Sequence, residues 1–109
     1  MNIYICSPYS HPDPAVREER FNAVCKYAAK LMVKGHNVFS PISHSHPISL
    51  HMDNSLDHDF WLKQDLSFLE RWADEVWILM LPGWLESKGI ALEMETAERY
   101  FIPVRKVKP

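Results

Sequence analysis

Short apolar runs alternating with amphipathic stretches predict a three-layer α/β domain built on a small parallel sheet. Three observations carry this expectation. Apolar runs beginning at Ile3, Val38, Val76 and Val104 are too short for helices and are bounded by turn residues. The longer stretches between them place apolar residues at three- and four-residue spacing, as a helix with one buried face does. The run Val76-Trp77-Ile78-Leu79-Met80-Leu81 has no polar alternation, as expected of a strand covered on both faces. Right-handed crossovers would wind these elements into a Rossmann-like or flavodoxin-like sheet of about four strands with helices on both faces.

In chain order, Ile3 to Cys6 is a strand closed by Ser7-Pro8-Tyr9-Ser10-His11-Pro12, whose prolines continue neither strand nor helix. Asp13 then reads as an N-cap with Pro14 at the first helical position. The stripe Phe21, Val24, Cys25, Ala28, Leu31 and Met32 runs on to Gly35, a natural helix terminator. His36 to Pro41 is a second short strand. From Ile42 to Ser55 the chain is polar, with His44, Ser45, His46, Pro47, His51, Asp53 and Asn54, and a long loop over the site is expected there. A second helix is expected from about Leu56 to Trp72 on the stripe Leu62, Leu66, Leu69 and Ala73. The apolar third strand stops at Pro82-Gly83. A third helix begins near Ser87 with the stripe Ile90, Met94, Ala97 and Phe101, and Pro103 ends it before a last strand at Val104-Arg105-Lys106-Val107.

Residues 1–109 are expected to form a single domain, and 47% hydrophobic content is enough to fill one core. The formal net charge of -2, with both signs well mixed, gives no electrostatic reason to bind a nucleic-acid polymer or an anionic membrane, so the expected partner is a small molecule. Met1-Asn2-Ile3-Tyr4-Ile5 has no basic leader and no segment has bilayer-spanning apolar length, which reads as cytoplasmic. Cys6 and Cys25 have no metal-type spacing and are expected to be buried thiols.

Ligands of open α/β sheets collect beyond the carboxyl ends of the strands, which points to Ser7-Pro8-Tyr9-Ser10, to Ser40-Pro41 with the histidines behind it, and to Pro82 through Gly89. On the third helix Glu93 lies about 60° from the centre of the apolar stripe and Glu95 about 140° away, so Glu93 borders the core and Glu95 faces water. Gly89, one turn earlier on the same face, leaves Glu93 an open path to a ligand. Asp65 repeats the pattern about 60° from its own stripe, near Trp61 and Trp72. Two such carboxylates, one desolvated enough to hold a proton and one kept ionised, are the equipment for cleaving a glycosidic bond. A charged residue at a helix border is also common without any function. The histidines at 44, 46, 51 and 58 have no helical metal-ligand spacing, so neither a metal nor another cofactor is expected; His44 and His46 are read as hydrogen-bonding groups over the pocket. Trp84, beside Gly83 in the turn, is placed to stack on a ligand.

The segments Ile3-Tyr4-Ile5-Cys6-Ser7-Pro8, Gln64-Asp65-Leu66, Ala73-Asp74 and Ser87-Lys88-Gly89-Ile90-Ala91-Leu92-Glu93, with Ala97 behind them, together resemble the nucleoside 2-deoxyribosyltransferase superfamily. The resemblance implies a double displacement in which Glu93 attacks the anomeric carbon of a deoxynucleoside or its 5'-phosphate. It makes Asp65 the group that contacts or protonates the base, and Tyr4 the residue that orients Glu93. Ser87 stands where the free-nucleoside transferases have aspartate and the related nucleotide N-glycosidases have serine. A hydroxyl at a helix start suits a phosphate that an aspartate would repel. Ser7, Ser10 and Arg17 or Arg20 are then further phosphate contacts, and a homo-oligomer is implied. The alternatives are a nucleotide-binding or sensing module without turnover and, with less support, metal-assisted hydrolysis through the histidines.

Overall fold

A computed structural model describes residues 1–52 and 57–109. Its elements run β1 (Asn2–Cys6), α1 (Pro14–Val33), β2 (Asn37–Phe39), α2 (Pro41–Ser49), α3 (His58–Trp72), β3 (Glu75–Leu79), α4 (Lys88–Arg99) and β4 (Val104–Val107). The four strands are all parallel in the order β2-β1-β3-β4. The expected small parallel α/β sheet is therefore present. Strand order reverses at β1, so the crevice above the carboxyl ends of β1 and β3 is the switch point at which such sheets hold ligands.

Alternation along the strands divides the core in two. Ile3 and Ile5 of β1 join Trp77 and Leu79 of β3 beneath Val24, Ala28 and Leu31 of α1. Tyr4 and Cys6 face the other way with Val76 and Ile78, against Leu69 of α3 and Ile90 and Ala97 of α4. Every second residue of β1 thus points at the helices that carry Asp65 and Glu93. Tyr4 reaches Glu93 because of that register. Among the described residues no helix is long and apolar enough to cross a membrane.

The expected caps at both ends of α1 are found. The Asp13 side chain accepts from the Ala15 N–H at 2.9 Å, and Gly35 takes φ +97 with the His36 N–H donating back to Leu31 O at 3.1 Å.

The long loop expected from Ile42 is in fact a helix through Ser49. Ser40 caps it, its Oγ accepting from the Ser43 N–H at 3.2 Å, and Pro41 sits at its first position. Its sequence looks loop-like because its inner side meets α1 and a polar cavity rather than the main core, and Pro47 is tolerated inside it. The expectations for Asp53, Asn54, Ser55 and a helix start at Leu56 lie outside the described residues; α3 begins at His58, with Asp57 as its cap accepting from the Phe60 N–H at 3.1 Å.

Three core assignments also change. Met32 is exposed on the outer side of α1, and Cys25 is only half-buried, its Sγ 3.1 Å from Ser43 Oγ. Phe101 is 92% exposed. It is not Pro103 that ends α4 but a cap in which Phe101 takes φ +58, the Ile102 N–H donates to Ala97 O at 2.8 Å and the Phe101 N–H to Glu98 O at 3.2 Å. That left-handed cap turns Phe101 outward and delivers Ile102 to the core instead.

Candidate active site

A cavity of about 680 Å³ opens above the carboxyl ends of β1 and β3. Its walls come from the loop after β1, from α1, α2 and α3, and from the start of α4. Ser87 ends the turn after β3 in extended backbone and caps α4, its Oγ accepting from the Ile90 N–H at 3.2 Å. Glu93 follows on the inward side of the helix and is only 5% exposed. Its Oε2 accepts the Tyr4 hydroxyl at 2.5 Å, and the Cys6 thiol lies beside it as a second, weaker donor. Glu93 also lines the cavity.

Burial dominates the electrostatics. It pushes Glu93 up to about 8, with the Tyr4 hydrogen bond opposing the rise, the nearby Asp65 carboxylate adding to it, and the Cys6 thiol opposing it. Asp65, half-buried on α3 and lining the same cavity, is raised to about 7 by burial alone. Tyr4, fully buried, is raised well above the ordinary phenol range by burial first and by Glu93 second. The sequence predicts one protonated and one ionised carboxyl. Both are in fact raised, because the apolar packing of α3 and α4 desolvates both. Both carboxyls therefore sit well above the ordinary carboxylate range, and the charge of Asp65 adds to the rise of Glu93.

Of the residues singled out in the sequence, Ser7, Tyr9, Ser10, His46, Asp65, Ser87, Gly89 and Glu93 line the cavity, and Tyr4 lies beneath Glu93. Ser7 Oγ is buried and has no hydrogen-bond partner within the described protein. Arg17 reaches the wall, with Nη1 donating to His11 O at 2.5 Å. Arg20 does not reach it. Its guanidinium donates to Ser10 O at 2.9 Å and Pro82 O at 3.2 Å, tying the β1 and β3 loops together.

Four residues lie elsewhere. Pro8 is fully buried behind the loop. His44 points away from the cavity, near Phe39 and Phe68 at ring separations of 5.5 and 6.1 Å. Gly83 takes φ +95 against Arg20, and the 3-10 turn Trp84–Glu86 lays Trp84 on the sheet core with Lys106 Nζ 5.6 Å above its ring. Trp61 and His58, which line the wall, were not singled out as site residues. Their signal was spacing: 58, 61 and 65 fall on one helical face. Among the described residues no three His, Cys, Asp or Glu side chains converge to hold a metal ion.

A search of the solved structures finds similarity to a 2-deoxyribosyltransferase from the psychrotolerant bacterium Bacillus psychrosaccharolyticus, described as a biocatalyst for synthesis of antiviral and antitumoral nucleosides. The two share 26% identity with a TM-score of 0.71, over 100% of this chain and 73% of the other. The resemblance read from the sequence thus holds over the whole length of the fold. No curated protein matches the chain. Residues 1–108 match the family model described as a domain of unknown function (DUF1937), and the chain belongs to that family.

Proposed function

We propose that this protein cleaves the N-glycosidic bond of a nucleoside or nucleoside 5'-monophosphate through a covalent glycosyl-Glu93 intermediate. The observation that carries the proposal is Glu93 itself: a buried carboxyl with one oxygen tied to Tyr4 and its remaining edge on a cavity shared with Asp65. The match to a 2-deoxyribosyltransferase supports glycosyl transfer as the reaction class.

In the first step Oε1 of ionised Glu93 bonds to the anomeric carbon while the C–N bond breaks. Its electron pair goes to the base nitrogen system, which takes a proton from Asp65. In the second, water or another base attacks the same carbon and gives its proton to Asp65, and Glu93 leaves as carboxylate. Tyr4 holds Glu93 in place and stabilises its charge. The orphaned Ser7 hydroxyl, Ser87 with the N–H groups at the start of α4, and Arg17 suit a 5'-phosphate. Residues 1–109 act in this proposal as one catalytic domain in the cytoplasm, assembling through apolar surface such as exposed Val33, Leu85 and Phe101.

One observation favours a second reading, a nucleotide-binding module without turnover: a Glu93 that titrates at about 8 is mostly protonated, and so not nucleophilic, at neutral pH. Incubation of the pure protein with each deoxynucleoside and its monophosphate, followed by chromatography for free base, separates the two. Catalysis gives free base, abolished in Glu93→Gln. Stabilisation of about 2 to 3 kcal/mol at a hundredfold ligand excess over Kd, with no base released, would establish the binding module instead.

A further inference from the structure

Beside the carboxyl pair the cavity wall holds a second polar chain. Tyr9 lines the cavity, and its hydroxyl is 2.6 Å from Nδ1 of His46. His46 Nε2 is 2.8 Å from Oε2 of Glu18, on the outer side of α1. The imidazole is 7% exposed and stacked on Phe21 at 4.3 Å, and the helix turn bearing it is fixed by the Ser49 hydroxyl donating to His46 O at 2.6 Å. A carboxylate only accepts, so Glu18 places the ring proton on Nε2 and leaves Nδ1 as an acceptor in the neutral ring. The Tyr9 proton then points at Nδ1, and the phenol offers the cavity only lone pairs.

We propose that Tyr9, set by His46 and Glu18, is a specificity residue that accepts a hydrogen bond from a sugar hydroxyl of the ligand, an inference that rests on the nucleotide reading above. A phosphate oxygen has no proton to give at this position and a sugar hydroxyl has. The chain therefore assigns the sugar's free hydroxyl to Tyr9 and leaves the phosphate to Ser7, Ser87 and Arg17. In a 2'-deoxynucleoside 5'-monophosphate that hydroxyl is the one at C3'. His46 and Glu18 touch no ligand and act as positioning residues. A phenol held in one orientation loses less freedom on binding than one free to rotate.

The test is calorimetric titration of a 2'-deoxynucleoside 5'-monophosphate and of its 3'-deoxy analogue, in a Glu93→Gln background so that neither is consumed. The parent is expected to prefer the 3'-hydroxyl ligand by about tenfold, one neutral hydrogen bond's discrimination. Tyr9→Phe should bring the ratio near one, as should His46→Phe, which keeps the stack on Phe21. His46→Asn, whose carboxamide oxygen takes the place of Nδ1, should recover part of it. Glu18→Ala, an exposed change that leaves the fold intact, should lower the ratio without abolishing binding. An undiminished ratio in Tyr9→Phe, or a parent that binds both ligands equally, overturns this inference and leaves the nucleotide reading standing. Binding of neither ligand overturns both.

Discussion

The buried Glu93 makes a prediction about stability that is independent of any substrate. An ordinary glutamate titrates near 4.5, and Glu93, mainly through burial and against the pull of the Tyr4 hydrogen bond, at about 8. Between those values the folded protein keeps a proton that the unfolded chain has released, so stability falls as pH rises. At about 1.4 kcal/mol per pH unit, the full interval costs at most about 5 kcal/mol. That is a large share of the roughly 5 to 15 kcal/mol that holds a domain together. Glu93→Gln keeps an acceptor for Tyr4 and has nothing to titrate. Its amide introduces a constant offset of about 1 kcal/mol, on top of which its stability should gain on the wild type from about pH 5 upward and level off near about pH 9. Urea unfolding of both proteins across that range measures the difference. A difference that stays flat with pH would show that Glu93 titrates like an exposed carboxyl, and the account of the site would fail with it.

Four further outcomes follow from the same geometry. The singly protonated Asp65–Glu93 pair exists only between its two titration steps, so kcat/KM should follow a narrow bell with limbs at about 7 and about 8. Tyr4→Phe removes a hydrogen bond that favours the Glu93 charge, so its bell should shift alkaline and its turnover at neutral pH fall about tenfold to hundredfold; an unmoved profile would argue against the contact. Ser87→Asp preserves the cap on α4 and places a negative charge at the proposed phosphate site, so the ratio of kcat/KM for monophosphate over free nucleoside should drop by at least about tenfold while thermal stability holds. Gly83→Ala would put a Cβ 2.6 Å from Arg20 Nη2 at φ +95, and a loss of about 1 to 3 kcal/mol in chemical unfolding is expected.

Much of this was legible from the chain because periodicity and caps report local physics. The β-α-β order, the Asp13 and Gly35 caps and the inward setting of Glu93 all follow from spacing that tertiary structure did not override. Helix α2 was hidden because the sequence Pro41-Ile42-Ser43-His44-Ser45-His46-Pro47 has polar residues on a face that packs on a cavity, where composition says loop. Phe101 was misplaced because a left-handed cap can seat a bulky residue where glycine is usual, and nothing in the 3.6-residue pattern marks that turn. The Tyr9–His46–Glu18 chain has no linear signal, because its members come from different elements that only the fold brings together. The shared elevation of both carboxyls is likewise a property of packing between α3 and α4, which no linear pattern contains.

The central claim is that Glu93 forms the bond to the sugar. Mass spectrometry of the intact protein and its peptides, quenched with acid during turnover of the substrate whose base is released fastest, tests it most directly. The expected result is an added mass equal to one deoxyribosyl or deoxyribosyl-phosphate group on the peptide that contains Glu93, absent in Glu93→Gln. Base release with no adduct, or an adduct on a peptide that lacks Glu93, would contradict it.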